Sequence, residues 1–356
     1  MRKQASLRRF ACLAATVLSV AGVAAGCGSS SSTTSSAAAS SGGSSSTAGS
    51  SSSSGKKVTG VAFFGFAAAN SFAQATWSGV QSVTKPAGIN AKFFDPDFSA
   101  QTQVSQIEDA ITTGGYQVFV VQANDGLAVV PAIERAIKKG ITVVGEFTPV
   151  GSNYASIQPA VPGMIFVGEA PVTNGQRLGQ LGIQACAGLN PCQLAYLQGD
   201  TTLPLDVART KAVLDTLKTA SNVKVVADPQ GGYTQATGLK AAQDVLSAHP
   251  DVNVIIGSSQ AIEGAQLAVK KAGKLGTIKL IGNGGSCQAI AGVKNGTWFA
   301  TYIIAEKSSG AKATQLGIAK AEGKTVPSSF DTDQLVNPIG TKKNLQANGF
   351  KAQYCD

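Results

Sequence analysis

From residue 56 onward, short apolar runs alternate with segments of helical spacing, and no other feature limits the fold as much. Residues 58–66 form an apolar run, and a helix is expected over 72–85, stopped by Pro86. Strand 91–95, helix 100–113 and strand 118–122 follow. Leu127, Val130, Ile133 and Ile137 then fall at helical spacing within 127–139, ahead of a strand at 141–147. Residues 148–162 hold three prolines and no period. The alternation then resumes, with strands expected at 165–167, 193–197, 223–227, 254–256, 278–281 and 299–304. Helices are expected at 174–187, 206–220, 234–248, 262–272, 288–295 and 306–322, before a polar tail with two lone prolines. Near-continuous apolar strands separated by helices belong to parallel sheets covered on both faces. A chain of 356 residues exceeds one ordinary core. The expected fold is therefore α/β, with two doubly wound parallel-sheet halves. Ligands in such sheets sit at the carboxyl ends of the strands, and two facing halves make a cleft for a small molecule.

The first 55 residues obey different rules. MRKQASLRR is basic, and FACLAATVLSVAGVAA is an apolar run of 16 residues. That run is shorter than the roughly 20 residues a membrane-spanning helix needs, and it has the layout of a secretory signal. It closes on Ala24-Ala25-Gly26-Cys27. Small residues before a cysteine are similar to the bacterial lipobox, which implies a lipid on Cys27. A plain secretory signal that happens to hold a cysteine is the alternative. Residues 28–55 are all Gly, Ser, Thr or Ala. Such a segment has nothing to bury and reads as a tether spanning roughly 30 Å as a random coil. Stable anchoring needs more than one acyl chain. The expected location is the outer face of the cell membrane.

Formal net charge is +9, but four of those charges are Arg2, Lys3, Arg8 and Arg9. The remaining charges are scattered, which argues for a solvated surface and against a nucleic-acid face. The one histidine, His249, lies beside Pro250. Sites that need two histidines are excluded, and Ser-His or Cys-His catalysis is disfavoured. In an exported chain, Cys186, Cys192, Cys287 and Cys355 are candidates for disulfides. CAGLNPC brackets a turn, so Cys186 pairs locally with Cys192, and Cys287 with Cys355 would pin the tail. The spacings do not suit a four-cysteine metal site. No metal or cofactor is expected.

The order of segments resembles the type 1 periplasmic sugar-binding proteins, the ribose/galactose-binding family of ABC importers. The likeness is carried by VAFFGFAAANSFAQATWSGV, by QANDGLAVVPAIERAIKKGITVV, by Arg209 opening RTKAV, by LKAAQDVLSAHPDVNVI and by IEGAQLAVKKAGK. It implies a monomer of two lobes crossed three times, near residues 161–167, 303–306 and 331. The lobes would be 56–163 plus 305–330 and 164–304 plus 331–356, after a signal at 1–26 and a tether at 27–55. Capture without chemistry and delivery to a membrane permease follow from the resemblance. A tethered sensor that hands its ligand to a signalling partner is the alternative.

The resemblance also implies site residues. Asn70 and Phe72 would supply a polar contact and a stacking ring, although Phe72 could instead belong to a helix core. Trp77 could line the cleft or the core, and Asp125 beside Asn124 could bind ligand or cap a helix. Glu146 keeps an acid, while Phe147 replaces the family's arginine. In the second lobe Arg209 offers two donors at once, Tyr233 a ring and a hydroxyl, and Ser258, Ser259 and Asn283 lie at strand ends. Ser259 and Gly284 stand where the family has aspartates, and Ile303 or Ile304 where glutamine is common. Buried sugar hydroxyls need partners, so these losses point to a ligand less hydroxylated or more aromatic than ribose or galactose, or to a modified sugar.

Catalysis finds no support elsewhere. Gly323-Lys324-Thr325 lacks the glycine a phosphate loop needs at position 318, which is Ile, and a helix precedes it. A repressor sharing the core would carry a DNA-binding segment where this chain has its signal and tether.

Overall fold

The computed structural model describes residues 57–356. The signal, Cys27 and the tether lie outside the described residues.

The first sheet is built from β1 (Gly60–Phe64), β2 (Asn90–Phe94), β3 (Val118–Val121), β4 (Thr142–Glu146) and β5 (Ile165–Gly168). Helices α1 (Ser71–Thr84), α2 (Ala100–Thr113) and α3 (Val130–Lys138) connect them. The second sheet holds β6 (Cys192–Tyr196), β7 (Val223–Ala227), β8 (Val254–Ser258), β9 (Lys279–Gly284) and β10 (Ala300–Ile303). Its helices are α4 (Pro171–Ala185), α5 (Pro204–Leu217), α6 (Gln235–Ala248), α7 (Ser259–Lys271) and α8 (Cys287–Asn295). Then come α9 (Glu306–Ala321), β11 (Ser329–Asp331), β12 (Ile339–Thr341) and α10 (Lys342–Asn348).

The sheets run β11-β5-β4-β3-β1-β2 and β12-β10-β9-β8-β6-β7. Without the edge strands from the tail, the two orders are identical. Every pairing is parallel except β10 with β12. The central strands β1, β3, β4 and β8 are buried along their whole length, whereas β2 and β7, which end their sheets, are partly exposed. Helices cover both faces, as continuous apolar strands require.

Two sequence expectations need correction. β5 pairs with β4, with Gly145 opposite Phe166, so residues 164–168 belong to the first lobe. The chain crosses only after Gly168, because a three-residue apolar run does not reveal which of two parallel sheets it joins. The polar tail also takes regular structure, since β11 and β12 extend one sheet each. The second crossing lies between β10 and α9, and the third follows β11.

Several helix starts are set by side-chain caps, while α3, α4, α5 and α9 have none. Asn70, Thr234, Ser258 and Ser286 each accept a hydrogen bond from the backbone N–H three residues on. Helices α6 and α7 pack with almost no gap: a Cβ on Gly264 would collide with the backbone of Gln235 and Leu239. Disulfides join Cys186 to Cys192 and Cys287 to Cys355.

Candidate ligand-binding site

The topology aims the carboxyl ends of both sheets at each other. A small cavity of about 40 Å³ lies between them, so the lobes stand closed on one another. The first lobe contributes Phe66 after β1, Asn70 and Phe72 at the start of α1, Phe98 before α2, and Phe147 after β4. The second lobe faces them with Leu203, Leu205 and Arg209 around the start of α5, and with Tyr233, Gln260 and Asn283. Ile304 enters from the second crossing.

The first-lobe wall is aromatic. The Phe72 and Phe147 rings meet edge to face, with centres 4.7 Å apart, and Phe66 approaches Phe147 at 6.1 Å. Phe147 holds a left-handed backbone, φ 63°. That conformation is disfavoured for a bulky side chain and turns the chain sharply at the end of β4. Its amide still donates to the Val167 carbonyl at 3.0 Å. Across the cleft, the Arg209 guanidinium lies 5.7 Å from the centre of the Phe147 ring, a cation–π contact between lobes.

Arg209 is not a free charge. It is buried, and its Nη1 donates to Asp206 Oδ1 at 2.8 Å and to the Tyr233 hydroxyl at 3.3 Å. The Tyr233 hydroxyl donates to the same Asp206 oxygen at 2.6 Å. Asp206 Oδ2 accepts from the Asp200 amide at 2.8 Å. Burial pushes the Asp206 carboxyl up, and the neighbouring Arg209 charge offsets part of that. Among the described residues, Arg209 Nε has no partner. The triad thus fixes the guanidinium in place, with one buried donor unpaired.

Asn70, Phe72, Phe147, Arg209, Tyr233 and Asn283 come together at this cavity, and five other expected residues do not. Trp77 stacks on Phe63 at 6.0 Å and lies 5.9 Å from Phe93, on the sheet side of α1. Five residues along a helix rotate a side chain roughly 140° from Phe72, so both cannot face the cleft. Asp125 caps the turn before α3, accepting from the Leu127 and Ala128 amides at 2.8 and 3.1 Å. Glu146 is buried behind the wall, where it accepts from Gln122 Nε2 at 2.8 Å and from the Ser309 hydroxyl. The Ser258 hydroxyl donates to the Gly232 carbonyl at 2.7 Å and caps α7. Ser259 Oγ accepts from the Gly285 amide at 3.2 Å and so holds the loop after β9.

Sequence reading missed Phe66, Phe98, Leu203, Leu205 and Gln260. Each sits just past a strand end or at a helix start, a position whose place on the rim was a usable signal. Gly284, standing where the family has an aspartate, leaves room beside it. That space is filled by Tyr354: a Cβ at Gly284, whose φ is 139°, would collide with the Tyr354 hydroxyl. The Tyr354 ring also reaches Phe72, with centres 6.3 Å apart. Residues 350–356 thus cross from one lobe to the other. On the second lobe Cys355 is bonded to Cys287, and the Tyr354 carbonyl accepts from the Cys287 amide at 2.8 Å. On the first, Asp356 Oδ1 accepts from the Ser71 hydroxyl at 2.8 Å, and Gln353 Oε1 accepts from the Ser308 amide at 2.9 Å.

Carboxyl groups collect at the crossings. Glu169 follows β5 and accepts from the Tyr302 hydroxyl, which in turn accepts from Arg177 Nη1 at 2.9 Å. Arg177 also pairs with Asp333 at the third crossing. Glu306 opens α9, fully buried, and among the described residues neither carboxylate oxygen has a partner. Burial pushes Glu146 and Glu169 up to about 7, against the hydrogen bonds that favour their charged forms. Glu306 is held well above the usual carboxylate range by burial, and then by Glu146 and Glu169. An unpaired carboxylate is disfavoured in such a place, so burial favours the neutral form of Glu306.

Among known proteins, the family model described as periplasmic binding protein domain matches residues 61–325. The D-allose-binding periplasmic protein of Escherichia coli (strain K12) is 25% identical over 263 residues, which cover 70% of this chain and 80% of that protein. An ABC transporter solute binding protein from Agrobacterium vitis with bound D-fucose superposes with a TM-score of 0.71 at 22% identity. That match covers 82% of this chain and 98% of the other. A periplasmic solute binding protein of an ABC transporter from Actinobacillus succinogenes 130z, with bound D-allose, gives 0.69 at 20% identity, covering 81% and 99%.

Proposed function

Because the chain belongs to the periplasmic binding protein family, we propose that it is the extracytoplasmic substrate-binding component of an ABC importer. It captures a sugar or sugar-like ligand between its lobes and presents it to a membrane permease. It is a binding protein and not an enzyme. The observation that carries this reading is the cavity at the facing strand ends, where the aromatic wall of one lobe meets the fixed Arg209 of the other. A ligand that touches both walls stabilises the closed form by its contacts with each. The lining offers one guanidinium, three amides and one phenol among apolar groups. Few hydroxyls find partners there, so the ligand presents a deoxygenated or aromatic part to this cavity. A lipid on Cys27 holds the body at the membrane through the serine-rich tether.

The test is a thermal-shift panel of pentoses, hexoses, deoxyhexoses, polyols, nucleosides and small acids. The expected strongest response comes from a deoxy or aryl-substituted sugar. A dominant response to an ordinary aldohexose contradicts the predicted ligand character, and no response to any sugar or polyol contradicts capture of this class. Metabolic labelling with a fatty acid should mark the protein and fail on Cys27→Ser.

A further inference from the structure

The closed cavity leaves a question of balance: it is small and apolar, yet relatives are seen with hydroxyl-rich ligands. A second cavity of about 580 Å³ adjoins it and shares Asn70, Tyr233 and Gln260 with it. Its lining carries more polar side chains, set among apolar ones such as Leu267 and Trp298. Ser71 comes from the first lobe, Gln235, Glu263, Gln266 and Gln288 from the second, and Asp356 from the crossing segment. Amides and carboxylates are the groups that pair with sugar hydroxyls, since together they offer donors and acceptors in number.

Two features show that this cavity is organised. The segment carrying Asp356 is fixed by the Cys287–Cys355 bond, and Gln288 holds its backbone, donating to the Asp356 carbonyl at 2.8 Å. Asp356 is thereby brought to the mouth of the cleft, where its side chain meets Ser71. Glu263 is half-buried on α7, and among the described residues its Oε1 has no partner. Burial, and then the negative charge of Asp356, push its carboxyl up to about 7. A carboxyl in that state can both donate to and accept from a hydroxyl.

We propose that this outer cavity is a second ligand subsite that takes a hydroxylated sugar unit, with Glu263 and Asp356 as its selective groups. The ligand is then a glycoside or short oligosaccharide, with its less polar end in the inner cavity and its hydroxylated end outside. This rests on the reading of the cleft as a sugar site.

The test compares matched series by calorimetry with the full exported protein: D-galactose, melibiose and raffinose; D-glucose, maltose and maltotriose; and the phenyl β-glycosides of both hexoses. In at least one series, adding the second unit should tighten binding tenfold or more. The Glu263→Gln/Asp356→Asn variant should lose that gain, so that it binds no larger ligand more tightly than the parent hexose. Equal or weaker binding of every larger ligand overturns the subsite, as does a gain that survives in the variant. Should the double variant melt early, Gln235→Ala, at an exposed position in the same lining, must reduce the gain at least threefold, and an unchanged gain again overturns the subsite. No binding of any compound in the series removes the sugar-site reading itself, and the subsite with it, a result distinct from hexose binding without a gain.

Discussion

Arg209 shows how much a single residue can be read and misread. Its type and position announce a ligand-facing guanidinium, and it does line the cavity. Its pairing with Asp206 was hidden, although the two are three apart on α5 and share a helix face. Breaking a buried ion pair by removing one partner costs about 3–5 kcal/mol. Arg209→Met is therefore expected to lower unfolding stability in urea by about 3 kcal/mol, besides weakening binding, and a loss under about 1 kcal/mol would show that the pair is not coupled as described. Other residues were legible to different degrees. Asn70, Phe72, Phe147, Tyr233 and Asn283 could be placed because strand ends point into the cleft. Trp77 and Asp125 could not, because a ring on a helix and an acid before one serve core and cap equally well. Gly284 misled for another reason: Tyr354, the residue that fills its space, lies 70 positions away in sequence, beyond any local pattern.

Elements with a strong period were legible, and those without one were not. The continuous apolar strands and their intervening helices determine the two sheets, whereas β11 and β12 have three residues each and exist only through their partners. The crossings carry their own chemistry. Glu146 and Glu169 have folded values near 7 against an ordinary 4.5, and burial raises Glu306 well above its ordinary value too. Groups raised in this way bind protons more tightly when folded. Their stabilisation is complete below about 4.5 and is lost as pH rises through about 7. The melting temperature should therefore carry a component that falls between pH 5 and 8. Glu306→Gln, which stays neutral, should melt several degrees above the parent at pH 8 and close to it at pH 5. A difference independent of pH would contradict the assignment of a proton to this cluster.

At the scale of the whole molecule, the two lobes are tied by three crossings and by the segment at residues 350–356. That segment is covalently fixed to one lobe and hydrogen-bonded to the other, so it favours closure even without ligand. Replacing Cys287 and Cys355 by serine should enlarge the radius of gyration of the unliganded protein in X-ray scattering while far-UV circular dichroism stays unchanged. An unchanged radius would mean that the three crossings alone hold the lobes together. The central claim, however, is capture by both lobes at once. Calorimetric titration of the strongest panel ligand into the parent, Phe72→Ala and Arg209→Lys tests it most directly, since the lysine keeps the charge beside Asp206 but loses the planar fork. The account predicts at least a tenfold loss of affinity in each variant, one from each lobe. Full affinity in either one would contradict it.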